Sequence, residues 1–472
     1  MNFNQLIALI FIFLSLNLFL ITTPDHGFNE DLGRHLTFGK VISETKTVPK
    51  TNFFSYTMSE YRAVDSHWLS QVIFYQVYKL GGLKGLTILK WSLINITFAV
   101  LSVIGIQALK TRFYLSLPLF AVGILMAKER VDLRPELFTN LLLVLFALIL
   151  KPKLTWKRVL LLTGLQFLWI NLHIMFFWGP ILVFLSLFSI PITAVKKKAF
   201  QLLPLFLVNL LNPLGLYGAI FPLLIMRDYG YKVLENQTFA FLVAHVSGIS
   251  FATYYLVILT AVICLILALY IRAWKSFVKI TLVLIAALKM FRNFTFLVYI
   301  GLPAQFRILK KLLLKWQPAK QQLNLILTTY SLFFIIILTG LLTKRSIIST
   351  NNFETWYEGL GAYLDTNQIK GNVFNSFDNG GYLIFKLWPK HQVFIDNRAD
   401  AYPSTFLNGV FKPMLEDETT FLNAVEKYQI KTIIWPKTDI TPRSQYFLKV
   451  IMPNLSGWDK AYEDPYSLVL MR

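Results

Sequence analysis

From Thr23 to Lys40 the chain reads TPDHGFNEDLGRHLTFGK, and from Ala63 to Ser70 it reads AVDSHWLS. Between residues 23 and 70 it gathers Asp25, His26, Glu30, Asp31, Arg34, His35, Asp65 and His67, three of them from the six histidines of the whole chain. An apolar run, Gln5 to Ile21, comes just before, and a second begins near residue 86. Clustered carboxylates and imidazoles cannot face hydrocarbon, so the stretch lies in water or lines a polar cavity between membrane segments. It reads as the floor of an active site that the flanking spans hold in place.

Composition supports that division. Hydrophobic residues make up 55% of the 472, charged residues only 15%, and the mean hydropathy is +0.55. A soluble domain carries nearer a quarter charged residues. The net charge of +21 would point to nucleic acid in a soluble protein. Here the basic residues fall in short connectors between apolar runs, at 110–112, 151–158, 196–198, 272–275 and 307–320. That is the positive-inside pattern, and it removes the case for nucleic acid. The single cysteine, Cys264, lies in an apolar run and carries no information about redox compartment.

Apolar runs at 5–21, 86–109, 113–127, 137–150, 159–173, 174–195, 199–213, 251–271, 277–290, 294–306 and 323–343 predict about eleven spans, several short of the roughly 20 residues a straight crossing needs. With the N-terminus in the cytoplasm, every basic connector falls inside. The loops 23–70, 128–136, 227–250 and 291–293 then fall outside, with everything after Lys344. No basic residues precede the first run and no small-residue cleavage site follows it, so it reads as an uncleaved anchor. Pro213 and Gly215 interrupt the seventh run, and AIFPLLIM after them is expected along the outer interface.

From about Asn352 the composition becomes that of a soluble domain. NVFNSF, YLIFKL, QVFIDN, KTIIWP and SLVLM read as strands, with Asp378-Asn379-Gly380-Gly381 as a turn and DETTFLNAVEKYQI as a helix. The expected architecture is a membrane all-α bundle over 1–343 with an extracytoplasmic α/β domain over 344–472.

Glu30 and Asp31 are adjacent carboxylates. Such a pair can accept a proton, hold a divalent ion, or cap a helix. His35 follows Asp31 by one helical turn, and His67 opens the next helix beside Asp65. Each histidine has an ordinary reading as a hydrogen-bonded structural residue. Arg134 and Glu136 in KERVDLRPELF, His173 in WINLH and Arg292 in FRNF lie on the outer side. There a guanidinium suits bidentate binding of a phosphate, or pairs with a nearby acid. Asp396, Arg398 and Asp400 alternate just after QVFI, where ligand loops and salt-bridged turns both occur. No H-E-x-x-H, P-loop, G-x-G-x-x-G or G-x-S-x-G is present.

EDLGRHLTFGKVISETKTVPKTNFFSYT and HWLSQVIFYQVYKLGG, with RPELF, WINLH, LNPLG, FRNF and VFIDNRADAY, resemble a group of bacterial multi-pass membrane proteins related to the GT-C glycosyltransferases. The resemblance spans most of the chain. It implies sugar transfer from a polyprenyl-phosphate-linked donor at the outer membrane face, by an inverting mechanism, with a first-loop carboxylate as base or metal ligand. Asp31 matches the second acid of the D-x-D-like motif and Asn29 stands at the first, which favours a metal-free site; a divalent cation, if used, would fall to Asp31. The Glu30–Asp31 pair is similar to that of protein O-mannosyltransferases. The implied assignment is Asp31, Glu30 and His35 as catalytic, and His67, Arg134, Glu136, His173, Arg292, Asp396 and Arg398 as substrate-binding. Two other readings stand beside it: a lipid-linked glycan polymerase or ligase, resting on outer arginine and histidine, and a non-catalytic scaffold. A transporter would show mid-span ionisable groups and paired repeats, and neither is evident.

Overall fold

The computed structural model describes residues 2–22, 31–150, 154–187, 192–225, 230–231, 233–246, 251–316 and 353–472. The expectations for Asp25, His26, Glu30 and the run 323–343 lie outside the described residues. Most of the chain before Trp316 is helical. Its principal helices are α1 (Phe3–Thr22), α2 (Leu32–Thr45), α3 (Trp68–Leu109), α4 (Leu117–Lys128), α5 (Glu136–Ile149), α6 (Trp156–Leu172), α7 (Trp178–Leu187), α8 (Ile192–Leu207), α9 (Leu216–Leu224), α10 (Phe239–His245), α11 (Ala252–Tyr270) and α12 (Trp274–Lys289).

Among the described residues, three stretches are long and apolar enough to cross a membrane: Phe3–Ile21, Trp68–Lys128 and Ala252–Tyr270. The middle one is broken at Gly82, where φ is +57°, and again by a 3₁₀ turn at Lys110–Ser116. The runs at 137–150, 159–173, 199–213 and 277–290 also form helices, but shorter ones. The run at 294–306 is in pieces: a 3₁₀ turn at Phe291–Thr295, a single helical turn at Phe296–Tyr299, and a helix Gly301–Trp316. That last helix absorbs Arg307, Lys310, Lys311 and Lys315, expected in a connector. These are good helix formers, and they extend an amphipathic helix whose Leu302, Phe306 and Leu313 are buried.

The α11 helix shows why this bundle belongs in lipid. Tyr254, Val257, Ala261, Cys264 and Ala268 recur at helical spacing and are buried, and α12 is the neighbour α11 packs on most extensively. Leu259, Val262, Ile266 and Leu269 on the other side are exposed and wholly apolar. An uninterrupted apolar surface of that length is stable against acyl chains and not against water. In lipid the inner contact rests on close packing, which the small Ala261, Cys264 and Ala268 permit.

The C-terminal region forms a small mixed sheet of β1 (Asn372–Asn375), β2 (Ile430–Pro436), β3 (Asp459–Glu463) and β4 (Ser467–Met471) in the order β1-β2-β4-β3. The first two strands pair in parallel; the other pairings are antiparallel. Both faces are covered, so successive residues fall into different cores. Phe374, Ile433 and Leu470 meet Phe394, Trp435 and Phe447 on one side. Val373, Ile434 and Val469 meet Phe38, Phe54, Tyr382 and Leu383 on the other. Phe38 and Phe54 come from the stretch 23–70. The first loop therefore supplies part of the core of the C-terminal domain and is packed to it.

Two strand expectations are corrected. YLIFKL belongs to a helix, Gly380–Leu387, and QVFIDN makes only the isolated bridge Ser55↔Val393. A six-residue apolar run fits either element by pattern alone, and here packing against α2 decides. A Cβ on Gly33 of α2 would lie 2.8 Å from Gly381 O, so the two helices cross at their glycines. The AIFPLLIM segment falls largely within α9, while β3 was not anticipated.

Close approach also fixes α2 against α3. A Cβ placed on Gly39 would sit 2.1 Å from Gln71 O. Gly39→Val is expected to push the helices apart and to cost about 1–3 kcal/mol, as overpacking generally does. A lowered melting temperature of the purified protein in detergent is the readout; an unchanged one would mean that α2 is free to shift.

Candidate active site

Asp31 stands at the N-cap of α2, yet its side chain makes no capping hydrogen bond. Its carboxylate meets Arg34, Asn397 and Arg134 among the described residues. Oδ1 accepts from Arg34 Nη2 at 2.9 Å and from Asn397 Nδ2 at 2.7 Å; Arg134 Nε lies 3.6 Å from Oδ2. Arg34 Nε in turn donates to Asn397 Oδ1 at 3.0 Å, closing a ring of three side chains across the loop and the C-terminal domain. Burial favours the protonated acid, but Arg134 and Arg34 outweigh it and hold the Asp31 carboxyl far below the usual carboxylate range.

Arg134 leads to a second layer of charge. Its Nη1 donates to Glu235 Oε1 at 2.6 Å. Arg130 holds Glu136 with Nε and Nη2 at 2.7 and 2.9 Å, and reaches Glu235 Oε2 at 3.0 Å. Arg292 lies 3.8 Å from Glu136 and 3.9 Å from Glu235, and donates to Asn236 Oδ1 at 3.3 Å. Asp31, Arg134, Glu136 and Arg292, read separately along the sequence, thus belong to one network. The connections between helices position it: Arg130 and Arg134 between α4 and α5, Glu235 in a 3₁₀ turn before α10, Arg292 in the turn after α12.

Behind Asp31 runs a row of histidines. The His35 and His67 rings are 6.1 Å apart and the His67 and His173 rings 5.0 Å. Gln71 Nε2 lies 3.2 Å from His35 Nδ1. His173 Nδ1 lies 2.8 Å from Thr139 Oγ1, which also accepts from Trp169 Nε1. Burial, then Arg34, keeps His35 well below its ordinary value and brings His67 down to about 3. Both are neutral at physiological pH.

In the C-terminal domain, Asp396 and Arg398 face each other. Asp396 is fully buried and accepts from Arg398 Nε at 2.8 Å, Arg398 Nη2 at 2.6 Å and Tyr402 Oη at 3.0 Å. Arg398 also donates to Asn52 and stacks over Phe38. The residue that reaches Asp31 is Asn397 between them. Asp378, read only as part of a turn, is pushed up to about 7 by burial, then by Asp439 and Asp31.

Arg34, Arg130, Glu235 and Asn397 were not assigned roles from the sequence. The signal for Asn397 was its place between two charged candidates on a loop after an apolar run. For Glu235 it was an acid beside Asn236 in the outer loop 227–250, which also carries Asp228. A divalent cation fits Asp31 poorly in this arrangement, because guanidiniums already meet both of its oxygens. Among the described residues no three histidine, cysteine or acidic side chains converge as a metal site.

No family model matches the chain, and no curated protein does. Solved structures do. The archaeal oligosaccharyltransferase AglB from Archaeoglobus fulgidus, in complex with an inhibitory peptide and a dolichol-phosphate, aligns with a TM-score of 0.58 at 11% identity, over 92% of this chain and 70% of that one. The A. fulgidus oligosaccharyltransferase tethered to an acceptor peptide containing the NVT sequon aligns with a TM-score of 0.53 at 10% identity, over 91% and 69%. At such identities the likeness is one of fold.

Proposed function

We propose that this chain is a membrane glycosyltransferase of the GT-C type. It would move a sugar from a polyprenyl-phosphate-linked donor to an acceptor hydroxyl at the extracytoplasmic face, with the N-terminus in the cytoplasm. The observation that carries the reading is the facing of Asp31 and the arginines Arg134, Arg130 and Arg292 within one network at loop ends. Inverting transfer needs those two kinds of group. The bond between the anomeric carbon and the phosphate oxygen breaks, and its electron pair leaves with the phosphate, where guanidiniums stabilise it. The acceptor oxygen bonds the anomeric carbon from the opposite side and gives its proton to a carboxylate.

Asp31 suits that task once the donor is seated. A phosphate that engages Arg134 neutralises the strongest charge depressing the carboxyl, so its basicity rises as the donor binds. Arg34 and Asn397 orient the carboxylate, and His35, His67 and His173 extend the polar row beside it. The fold likeness supports this reading, since the solved relative was captured with a dolichol-phosphate.

The test is transfer from a polyprenyl-phosphate sugar pool by purified protein in nanodiscs, read together with the lipid-linked sugar profile of cells with and without the gene. Arg292→Gln is expected to raise the donor concentration for half-maximal rate about tenfold with little change in maximal rate, the size of one charge-assisted contact. An unchanged donor requirement would remove Arg292 from the donor site. The convergence of three arginines also favours a second reading, a lipid-linked glycan polymerase or ligase. In that case activity depends on the arginines and survives Asp31→Asn.

A further inference from the structure

The Glu235 carboxylate lies in a cradle made by three guanidiniums. Oε1 is 2.6 Å from Arg134, and Oε2 is 3.0 Å from Arg130 and 3.9 Å from Arg292. Three cations share Glu235 and Glu136 here, and Arg134 also approaches Asp31, which is held more closely by Arg34. The donor groups are not all used. Arg134 Nε is buried and makes no hydrogen bond with the described residues, and Arg292 Nη2 stops beyond hydrogen-bond reach of either glutamate. A planar carboxylate brings two oxygens to a site whose donors could serve a tetrahedral group with more oxygens and more charge.

The two glutamates are held differently. Glu136 opens α5, is gripped through both oxygens by Arg130, and is 12% exposed. Glu235 is 28% exposed and sits in a three-residue turn. That turn is tied down by the Phe291 N–H to Gln237 O bond and by Asn236 on Arg292. Of the two, Glu235 is free to leave without dismantling a helix end.

We propose that Glu235 is the resident stand-in for the donor's phosphate: the Arg130–Arg134–Arg292 cradle is a phosphate seat for the carrier lipid, and the donor enters by displacing this carboxylate. The inference rests on the lipid-linked donor proposed above and adds Arg130 and Glu235 to it. In the exchange no covalent bond changes; one anion replaces another, and Arg134 and Arg292 turn their unused donors to the newcomer.

Binding measured without any transfer step separates the two claims. Full-length protein in phosphatidylcholine nanodiscs is titrated calorimetrically with inorganic pyrophosphate and, separately, loaded with a polyprenyl monophosphate. Glu235→Gln and Glu235→Ala, both of which leave the backbone bond from Phe291 to Gln237 in place, are expected to bind pyrophosphate about tenfold more tightly than wild type, because the competing charge is gone. Asp132→Asn removes the same charge near Arg134 and is expected to change affinity less than about threefold, as a screened neighbour does. Adding Arg292→Gln to Glu235→Gln should cancel the gain. Polyprenyl monophosphate should compete with pyrophosphate, and phosphatidylglycerol in the bilayer should not. A gain for Glu235→Gln no larger than that of Asp132→Asn overturns the stand-in. Pyrophosphate binding indifferent to the polyprenyl lipid overturns the carrier seat, as does equal competition by phosphatidylglycerol. If the seat behaves as expected and no sugar transfer is found, the transferase reading fails alone.

Discussion

Asp31→Asn is expected to lower the turnover of sugar transfer roughly a hundredfold or more, the scale of losing a positioned general base. Asparagine keeps the size of the side chain and an oxygen that can accept from Arg34 Nη2, now 2.9 Å away. What it cannot do is take a proton. The loss should fall on kcat, because the donor's phosphate is held by the arginines and not by Asp31. Folding should survive, since Asp31 makes no helix-capping bond and asparagine keeps an oxygen to accept from Arg34 and Asn397. The experiment compares kcat, donor KM and melting temperature of the variant with wild type. Near wild-type turnover would take Asp31 out of the mechanism and leave the arginine-centred polymerase or ligase reading ahead.

The parts of the molecule legible from sequence are those set by local chemistry. Among the described residues most of the apolar runs became helices, because nothing but an internally hydrogen-bonded backbone survives in lipid. Asp31 fell at the start of a helix because an acid before LGRHLTF is a helix-start signal, and β2 was readable from the β-branched run TII before Trp435. What escaped depended on contacts distant in the chain. YLIFKL became helical against Gly33 of α2, far upstream. Asn397 rather than Asp396 or Arg398 reached Asp31, because those two neutralise each other inside the domain and present the residue between them. The direction of the Asp31 shift was likewise set by Arg134, a residue on another connection. A sequence places carboxylates in a loop, but only the fold says which cations they meet.

Arg398→Met is expected to destabilise the fold more than either Gly39→Val or Asp31→Asn. It removes the partner of Asp396, whose side chain has no exposure, and leaves a carboxylate buried without its cation. Breaking such a pair from one side typically costs about 3–5 kcal/mol. The pH dependence distinguishes this cause from lost packing. In the wild type burial favours the neutral acid, but Arg398 overcomes it and brings Asp396 below its ordinary 3.8. A group depressed on folding contributes stability that is fully present above its unfolded value and is lost as the pH falls through the folded one. Without the Arg398 side chain, burial is opposed only by the weaker pull of Arg34, the backbone N–H of residue 398 and the Tyr402 hydroxyl, and the folded carboxyl moves above the unfolded value. Stability of the variant should then rise as the pH falls from 7 toward 4, where the wild type still keeps its pair. The gap in denaturation midpoint between the two proteins should therefore be widest near neutrality and narrow toward acid. Arg398→Lys, which keeps the charge but not the two-pronged hold on Asp396, should fall between them. Function should follow the loop: once Asp396 and Arg398 no longer anchor it, Asn397 leaves Asp31 and Arg34, and turnover drops even at temperatures where the protein stays folded. A gap that does not change with pH would mean that Arg398 matters for its stacking on Phe38 and not for the charge it neutralises.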